Sequence, residues 1–336
     1  MKIDIDRLSL IREKPKLKLF GKTKKGNKRT LHIFGIKINY KKKCKNEIDN
    51  DKIQKQINKF KEIGITKKKR NPKLIVSLTS FTQRMYDTHF ALYSLLNQTL
   101  KPDEIVLWLG DKEFPNKEDD LPQSVLSLKN NGLTIKWCKD IKSYKKLIPA
   151  LKEFPDDIIV TADDDIYYPP NWMELLYNAY LKEPQYIHCH RAHRITFGEN
   201  QNIKNYSEWT HEVSNVEPSF CNFFTGAGGV LYPPRVLYKN VLDEELFLKL
   251  SPTADDIWFW AMAVLNNTKI NVINNNIKKL QYTNIEREFG LNDEITLAQK
   301  NVFGGGNDKQ LKNVFNHYPN LQNAVEYHNS IRNPQS

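Results

Sequence analysis

The sequence predicts an α/β fold in which a mixed, mainly parallel sheet is flanked by helices. Three observations predict it: short apolar runs alternate with helical patterns from Lys73 onward, polar or acidic residues follow these runs directly, and 40% of the 336 residues are hydrophobic. Such alternation is typical of parallel sheets, which bind their ligands where the strands end. A small basic extension is predicted to precede this domain.

The predicted extension is residues 1–70, and the predicted main domain is residues 71–336. The extension holds 24 Lys and Arg against 7 Asp and Glu, while the whole chain holds 51 against 39. The remaining residues therefore hold 27 basic and 32 acidic side chains, so the positive charge belongs to the arm. Alternation from Leu31 to Tyr40 predicts a small hairpin, and helical spacing predicts a helix from Asp51 to Ile63.

Basic segments of this kind bind anionic membrane surfaces, at about 1 kcal/mol per charge near the surface. A nucleic acid, a protein partner or a merely solvated tail are the alternatives for the arm. For the protein as a whole no nucleic-acid partner is predicted, because its body is slightly acidic.

The location predicted for the chain is cytoplasmic, with peripheral binding to the inner face of the membrane as a role for the arm. The longest apolar run, Ile257 to Leu265, is far shorter than the roughly 20 residues of a membrane span. Residues 1–10 lack the apolar centre of a secretion signal. Four widely spaced cysteines indicate neither a zinc site nor a disulfide framework.

The first half of the domain is predicted to hold four strands and two helices. The predicted strands are 74–78, 104–109, 133–137 and 158–161, and the predicted helices are 87–97 and 145–154. A polar loop at 79–84, a turn at Gly110 and an acidic cluster follow three of these strands. These loops should meet at the carboxyl edge of the sheet.

The acidic cluster is Asp163–Asp165, which follows the apolar run Ile158–Thr161 and precedes two prolines that end the strand. Crowded carboxylates repel one another, and a divalent cation removes that cost. Oxygen ligands favour Mg²⁺ or Mn²⁺, often shared with substrate phosphates. A solvated acidic turn is the alternative interpretation.

The second half is predicted to begin with a helix at 171–182, capped by Asn171, and a strand at 186–196. His188 and His190 alternate on this strand, which permits a metal pair but favours contacts to phosphate or sugar. A glycine-rich segment at 223–234 would let the backbone approach a ligand closely, and a plain tight turn is the alternative.

A second acidic pair, Asp255-Asp256, opens a predicted helix that runs to Leu265. Ser251 or Thr253 is predicted to cap this helix, whose dipole would stabilise carboxylates in the first turn. The functional interpretation is a carboxylate that orients or deprotonates an acceptor hydroxyl. Neither G-x-G-x-x-G after the first strand nor G-x-x-x-x-G-K-[ST] occurs, which disfavours dinucleotide-binding and P-loop proteins.

Taken in order, these landmarks resemble the metal-dependent, nucleotide-sugar glycosyltransferases of the GT-A fold, both family 2-like and exostosin-like. Asp163-Asp164-Asp165 is similar to their D-x-D motif, and Asp255-Asp256 to their later acidic pair. The resemblance implies a Rossmann-like GT-A domain and a hexosyltransferase of polysaccharide biosynthesis. It would use Mn²⁺ or Mg²⁺ to move a sugar from a nucleoside-diphosphate donor, above all a UDP-sugar, to a cell-surface glycan or lipid-linked acceptor.

The resemblance also implies site residues. Asp165 would ligate the metal, Asp163 would contact the metal or the ribose, and Asp255-Asp256 would act on the acceptor as base or anchor. The residues implied to contact the nucleotide or its diphosphate are Thr79, Ser80, Arg84, Lys145, Lys146, Asp163 and Asp164. Many members have a late histidine ligand, for which neither His317 nor His328 is a clear match.

Two rival functions fit the same acidic clusters. A nucleotidyltransferase or other metal-dependent phosphoryl-transfer enzyme would release pyrophosphate, whereas a glycosyltransferase would release a nucleoside diphosphate. A non-catalytic binding module would show no metal-dependent nucleotide binding.

Overall fold

A computed structural model describes residues 20–25, 28–33, 36–41, 48–68, 70–199, 202–277, 279–284 and 299–332. The chain forms two compact units, Met1–Glu47 and Ile48–Ser336. The second unit thus begins at Ile48, whereas the sequence predicts the end of the arm at residue 70. Residues 14–19 of the basic run at 14–25, and residues 42–45 of the next one, lie outside the described residues.

The first unit contains a three-stranded antiparallel sheet. Its strands are β1 (Phe20–Lys25), β2 (Lys28–Ile33) and β3 (Ile36–Lys41), in that order. Ile33 of β2 pairs with both Phe20 and Ile36. The segment for which alternation predicts a hairpin therefore spans β2 and β3.

The second unit is built on a sheet whose strand order is β12-β8-β11-β7-β4-β5-β6 within the described residues. Its strands are β4 (Leu74–Thr79), β5 (Glu104–Gly110), β6 (Leu133–Cys138), β7 (Ile158–Thr161), β8 (Ile187–Cys189), β11 (Val230–Tyr232) and β12 (Ile270–Val272). Strand β11 is antiparallel to both neighbours, and the other pairs are parallel. This confirms the predicted Rossmann-like fold with a mixed, mainly parallel sheet.

The long strand predicted at 186–196 is wrong. The chain breaks after β8, and a separate strand β9 (Ala192–Arg194) pairs with β10 (Asn222–Phe224) in a second small sheet. Each short strand hydrogen-bonds to different partners, because β8 lies between β11 and β12. An uninterrupted strand could not serve both sheets.

Helices cover both faces of the main sheet, as predicted. They are α1 (Asn50–Ile57), α2 (Met85–Leu96), α3 (Gln123–Leu126), α4 (Ile148–Glu153), α5 (Trp172–Lys182), α6 (Glu244–Leu250), α7 (Asp255–Leu265), α8 (Gly306–His317) and α9 (Pro319–Arg332). Helix α4 begins later than predicted because residues 142–146 form a 3-10 turn before it. Asn171 precedes α5 but makes no side-chain cap bond.

The core forms two layers because successive residues of a strand point to opposite faces. From β4, Leu74 and Val76 pack on the side of α2, whereas Ile75 packs with α7. Helix α7 is almost entirely buried, including Trp258 and Trp260. Each such side chain contributes about 1.5–3 kcal/mol of hydrophobic stabilisation. None of the described helices combines the length and apolarity needed to cross a membrane.

Candidate functional site

Polar side chains from the loops after β4 and β7 meet at the carboxyl edge of the sheet. The Ser80 hydroxyl donates to Asp164 Oδ2 at 2.5 Å. Arg84 Nη1 donates to Asp164 Oδ1 at 3.2 Å and also to Asp165 Oδ2. Because β4 and β7 are parallel neighbours, their loops end side by side, and Arg84 lies between two of the three aspartates.

Lys146 lies at the same edge of the sheet. Its buried Nζ lies 3.0 Å from Asp163 Oδ1 and 3.1 Å from Asp255 Oδ2, so it joins the two acidic clusters. Burial alone would lower the pKa of this lysine, but Asp163, Asp255 and Asp256 raise it well above its ordinary value. Lys146 is therefore charged at neutral pH.

The glycine-rich segment holds the second acidic pair in place. The Gly226 N–H donates to both oxygens of Asp256, at 3.1 and 3.0 Å. A Cβ at Gly226 would lie 2.5 Å from Lys146 Nζ and 3.0 Å from Asp256 Oδ1. The close approach predicted for this segment therefore exists, but toward the protein's own charged groups.

The site carries more negative charge than its two cations balance: five carboxylates lie around Arg84 and Lys146. Burial and the neighbouring Asp165 raise the pKa of Asp164 to about 6, although Arg84 opposes the shift. Burial and Asp255 raise the pKa of Asp256 to about 7, against the effects of Lys146 and the Gly226 N–H. An additional cation would relieve this repulsion.

Two of the predicted nucleotide-contacting side chains lie apart from this cluster. Lys145 Nζ donates to Glu113 Oε2 at 2.8 Å and Asp140 Oδ1 at 2.6 Å, near the ends of β5 and β6. The Thr79 hydroxyl donates to the Trp108 carbonyl at 2.8 Å. The other predicted residues, Ser80, Arg84, Lys146, Asp163–Asp165, Asp255 and Asp256, are brought together. Their individual roles stay predictions.

The predicted cap of α7 is wrong. Its N-cap is Ala254, which makes no side-chain bond. The Ser251 hydroxyl donates to the Ala254 carbonyl at 2.7 Å, and the Thr253 hydroxyl donates to Asn301 Oδ1 at 2.8 Å. Both hydroxyls thus have other partners, while Asp255 and Asp256 lie in the first turn as predicted.

The alternating histidines are not arranged as a metal pair. His188 Nε2 lies 3.0 Å from the Glu183 carbonyl, and His190 Nε2 lies 2.9 Å from the Trp172 carbonyl. Their Nδ1 atoms contact Asn271 and the Ile277 N–H. Burial lowers the pKa of both to about 4, and their ring nitrogens are already used in holding the fold.

Tyr168 and Trp172 are site residues that the sequence did not reveal as such. The Asp163 N–H donates to the Tyr168 hydroxyl at 2.8 Å, and that hydroxyl donates to the Ala227 carbonyl at 3.2 Å. Trp172 Nε1 donates to the Gly228 carbonyl at 2.8 Å. Their position just after the acidic cluster was the available signal, although the sequence indicates them only as aromatic residues near a strand break.

The carboxylates fit a metal that arrives with a substrate. Across the described residues, no three His, Cys, Asp or Glu side chains converge as a ready metal site. Asp163 and Asp165 are partly exposed, with 27% and 18% of each side chain accessible. Mg²⁺ is commonly held by one or two carboxylates, with water and substrate phosphates as its other ligands. Two oxygen donors beside two fixed cations suit that arrangement. The late histidine ligand has no counterpart in His317, whose ring packs on Tyr318, and the His328 side chain lies outside the description.

No protein-family model matches the sequence, and no curated protein matches it. Among similar solved structures is the inositol-1-phosphate CTP transferase from T. maritima, with 13% identity and a TM-score of 0.36, covering 62% of this chain and 89% of that one. Another is a CMP:2-keto-3-deoxy-manno-octonic acid synthetase complexed with CTP, with 10% identity and a TM-score of 0.33, covering 62% and 92%.

Neither of these structures is named as a glycosyltransferase, and the prediction of a glycosyltransferase is withdrawn as a correction. We also withdraw the hexosyltransferase class and the D-x-D interpretation. The UDP-sugar donor and the glycan acceptor are withdrawn for the same reason. The physical reason is that carboxylates at the end of a strand serve many metal- and nucleotide-using enzymes on one fold. Similarity this low assigns no activity to the chain.

Proposed function

We propose that the chain is a divalent-metal-dependent nucleotidyltransferase, which transfers a nucleotidyl group from a nucleoside triphosphate to an acceptor. The observation that supports this most is the placement of two positively charged side chains, Arg84 and Lys146, among carboxylates at the carboxyl edge of the sheet. Catalysis of phosphoryl transfer depends mainly on positioning and on stabilising charge, with a metal, a lysine and an arginine as recurring parts.

The reaction balances without a redox partner. An acceptor oxygen forms a bond to the α-phosphorus, the bond from that phosphorus to the bridging oxygen breaks, and pyrophosphate leaves with the electron pair. Lys146 and Arg84 would stabilise the charge on the phosphates. Asp256, whose pKa is raised to about 7, would accept the proton of a hydroxyl acceptor near neutral pH.

The remaining residues have proposed supporting roles. Asp163 and Asp165 would hold Mg²⁺ or Mn²⁺, which when bound would neutralise phosphate oxygens. Asp164 would keep Arg84 at the site through their ion pair, and Asp255 would do the same for Lys146. Ser80 would orient Asp164, while Thr79 and Lys145 would border the nucleotide from the ends of the neighbouring strands.

The released product tests this proposal. The full chain is incubated with each of the four ribonucleoside triphosphates, labelled at the α-phosphate, with Mg²⁺ and a panel of phosphomonoester and hydroxyl acceptors. We expect metal-dependent pyrophosphate and transfer of the label to an acceptor. Release of a nucleoside diphosphate from a nucleotide sugar without pyrophosphate, or no metal-dependent nucleotide binding by calorimetry, would refute the proposal.

A matched pair of variants ties the activity to the site. Asp165→Asn should lower Mn²⁺ affinity and pyrophosphate release at least 100-fold, because it removes a charged oxygen ligand. Asp156 lies just before β7, and its exposed carboxylate pairs with Arg235. Asp156→Asn should therefore behave as the wild type. Full activity in Asp165→Asn would contradict the assigned role.

We also propose that the basic arm binds anionic membrane surfaces, as its charge supports. Removing residues 1–47 should weaken sedimentation with phosphatidylserine vesicles at low salt, with neutral vesicles as the control. Unchanged sedimentation would count against this role.

A further inference from the structure

Besides Lys146, a buried hydroxyl connects the first acidic cluster to the glycine-rich loop that holds the second. Tyr168 is 2% exposed. Its hydroxyl accepts from the Asp163 N–H at 2.8 Å and donates to the Ala227 carbonyl at 3.2 Å. Burial, followed by the nearby Asp163, raises the pKa of this tyrosine well above its ordinary value, so the hydroxyl stays a donor.

Trp172, the first residue of α5, contacts the same glycine-rich loop. Its Nε1 donates to the Gly228 carbonyl at 2.8 Å, and its ring lies 4.4 Å from that of Tyr168. Gly229 has φ +92°, and a Cβ there would lie 2.3 Å from the Trp172 ring. The loop is therefore pressed against the two aromatic side chains and has no room to shift toward them.

The other end of this loop holds the second cluster, through the Gly226 N–H bonds to Asp256. A continuous path thus runs from the Asp163 amide through the Tyr168 hydroxyl and the Ala227–Gly226 backbone to the Asp256 carboxylate. The polar groups along this path are hydrogen-bonded, and Tyr168 connects the segment after β7 to the glycine-rich loop. This path runs beside the Lys146 ion pairs with Asp163 and Asp255.

We propose that Tyr168 is a positioning residue that fixes the separation of the metal-binding and acceptor-binding carboxylates, with Trp172 as its support. The kinetic consequence rests on the proposed nucleotidyl transfer. Displacement of a reacting group by about 1 Å can cost about 100-fold in rate, so a loosened link should act on turnover more than on nucleotide binding.

The test compares Tyr168→Phe with Tyr167→Phe. The first variant removes the linking hydroxyl and keeps the ring packing, while the second removes the hydroxyl of the adjacent tyrosine, which is not on the path. We expect Tyr168→Phe to lower kcat 10- to 100-fold with less than a threefold change in the KM for the nucleotide, and Tyr167→Phe to match the wild type. Wild-type kcat in Tyr168→Phe, or equal losses in both variants, would overturn the proposal.

A second measurement separates this inference from the proposed function. Amide hydrogen exchange at Asp163, read by NMR in the full chain, requires no activity. We expect exchange to be at least tenfold faster in Tyr168→Phe than in Tyr167→Phe, because only the first loses the acceptor of that amide. If the wild type releases no pyrophosphate, the proposed function fails and exchange alone decides; unchanged exchange would overturn the positioning role.

Discussion

Lys145 and Lys146 are neighbours with the same side chain but different surroundings. Both lie in the 3-10 turn that precedes α4. Lys145 joins Glu113 and Asp140, which are partly exposed, while Lys146 joins Asp163 and Asp255 beneath the glycine-rich loop. From the sequence both lysines are predicted to reach the phosphates, and only their position on the turn distinguishes them.

This contrast gives a matched pair of variants. Lys146→Met should abolish pyrophosphate release and cost about 3 kcal/mol of unfolding free energy, because it leaves Asp255, with 10% of its side chain exposed, without its cation. Lys145→Met should cost less, since its partners have 26% and 38% of their side chains exposed to water. Urea unfolding and steady-state assays measure both effects. Equal effects of the two substitutions would show that burial of the partners does not matter.

The raised pKa of Asp256 predicts a pH dependence of stability. In the folded protein the Asp256 carboxyl group keeps its proton up to about pH 7. In the unfolded chain it releases the proton near the ordinary pKa of 3.8. Between these values the folded state binds more protons, so raising the pH lowers stability. Asp256→Asn should remove this loss and gain on the order of 4 kcal/mol relative to the wild type as the pH rises from 4 to 8. Urea unfolding across that range checks it, and parallel curves would contradict it.

At the scale of elements, the site is assembled from the ends of strands and one helix. The apolar runs ending at Thr79 and Thr161 predicted strands whose loops meet, because parallel neighbours finish at the same edge. The first turn of α7 brings Asp255 and Asp256 to that edge. The predicted cap by Ser251 or Thr253 failed because the Ser251 hydroxyl bonds to the nearby Ala254 carbonyl and the Thr253 hydroxyl bonds to the distant Asn301.

The glycine-rich loop predicts an effect of one added methyl group. Gly226→Ala would place its Cβ 2.5 Å from Lys146 Nζ and 3.0 Å from Asp256 Oδ1. It should push the lysine away and lower kcat at least tenfold. Overpacking of this kind typically costs about 1–3 kcal/mol of stability.

Gly198→Ala is the control for that substitution. Its Cβ would meet only the end of the Asn202 side chain, at 2.8 Å, which can move aside. Pyrophosphate assays and thermal unfolding of the two variants measure the difference. An active, stable Gly226→Ala would mean that Lys146 moves without consequence.

At the scale of the whole molecule, the first contacts of the second unit precede residue 70. Ile48 and Ile53 pack with Phe90 and Tyr93 of α2. A chain that lacks residues 1–47 should keep its unfolding free energy, whereas one that lacks residues 1–70 should lose roughly 3–6 kcal/mol, since two buried isoleucines are removed. Denaturant unfolding of both truncated chains tests this. Equal stability would place the boundary where the sequence predicts it.

The fold was predictable further than the chemistry. Period and strand-end polarity predicted the sheet. The carboxylates at 163–165 and 255–256 were predicted as site residues from their clustering, their position after a strand or at a helix start, and the family resemblance, and their roles stay predictions. The break of the histidine-bearing strand was missed because β8 and β9 pair in separate sheets. The sequence did not decide between the glycosyltransferase and its nucleotidyltransferase alternative, because a strand-end carboxylate indicates the need for a cation and not which bond is broken. Tyr168 was missed because its partners lie 5 and 59 residues away.

The antiparallel strand β11 explains why the glycine-rich loop lies opposite the aspartates. Val230 at its start pairs with Thr161 at the end of β7, so the chain enters β11 where it has just left β7. Backbone pairing between these two strands thereby fixes the position of the glycine-rich loop relative to the aspartates that follow β7. Slippage by a single residue would carry the loop about 3.3 Å along the strand axis and take the Gly226 N–H away from the Asp256 carboxylate that it holds.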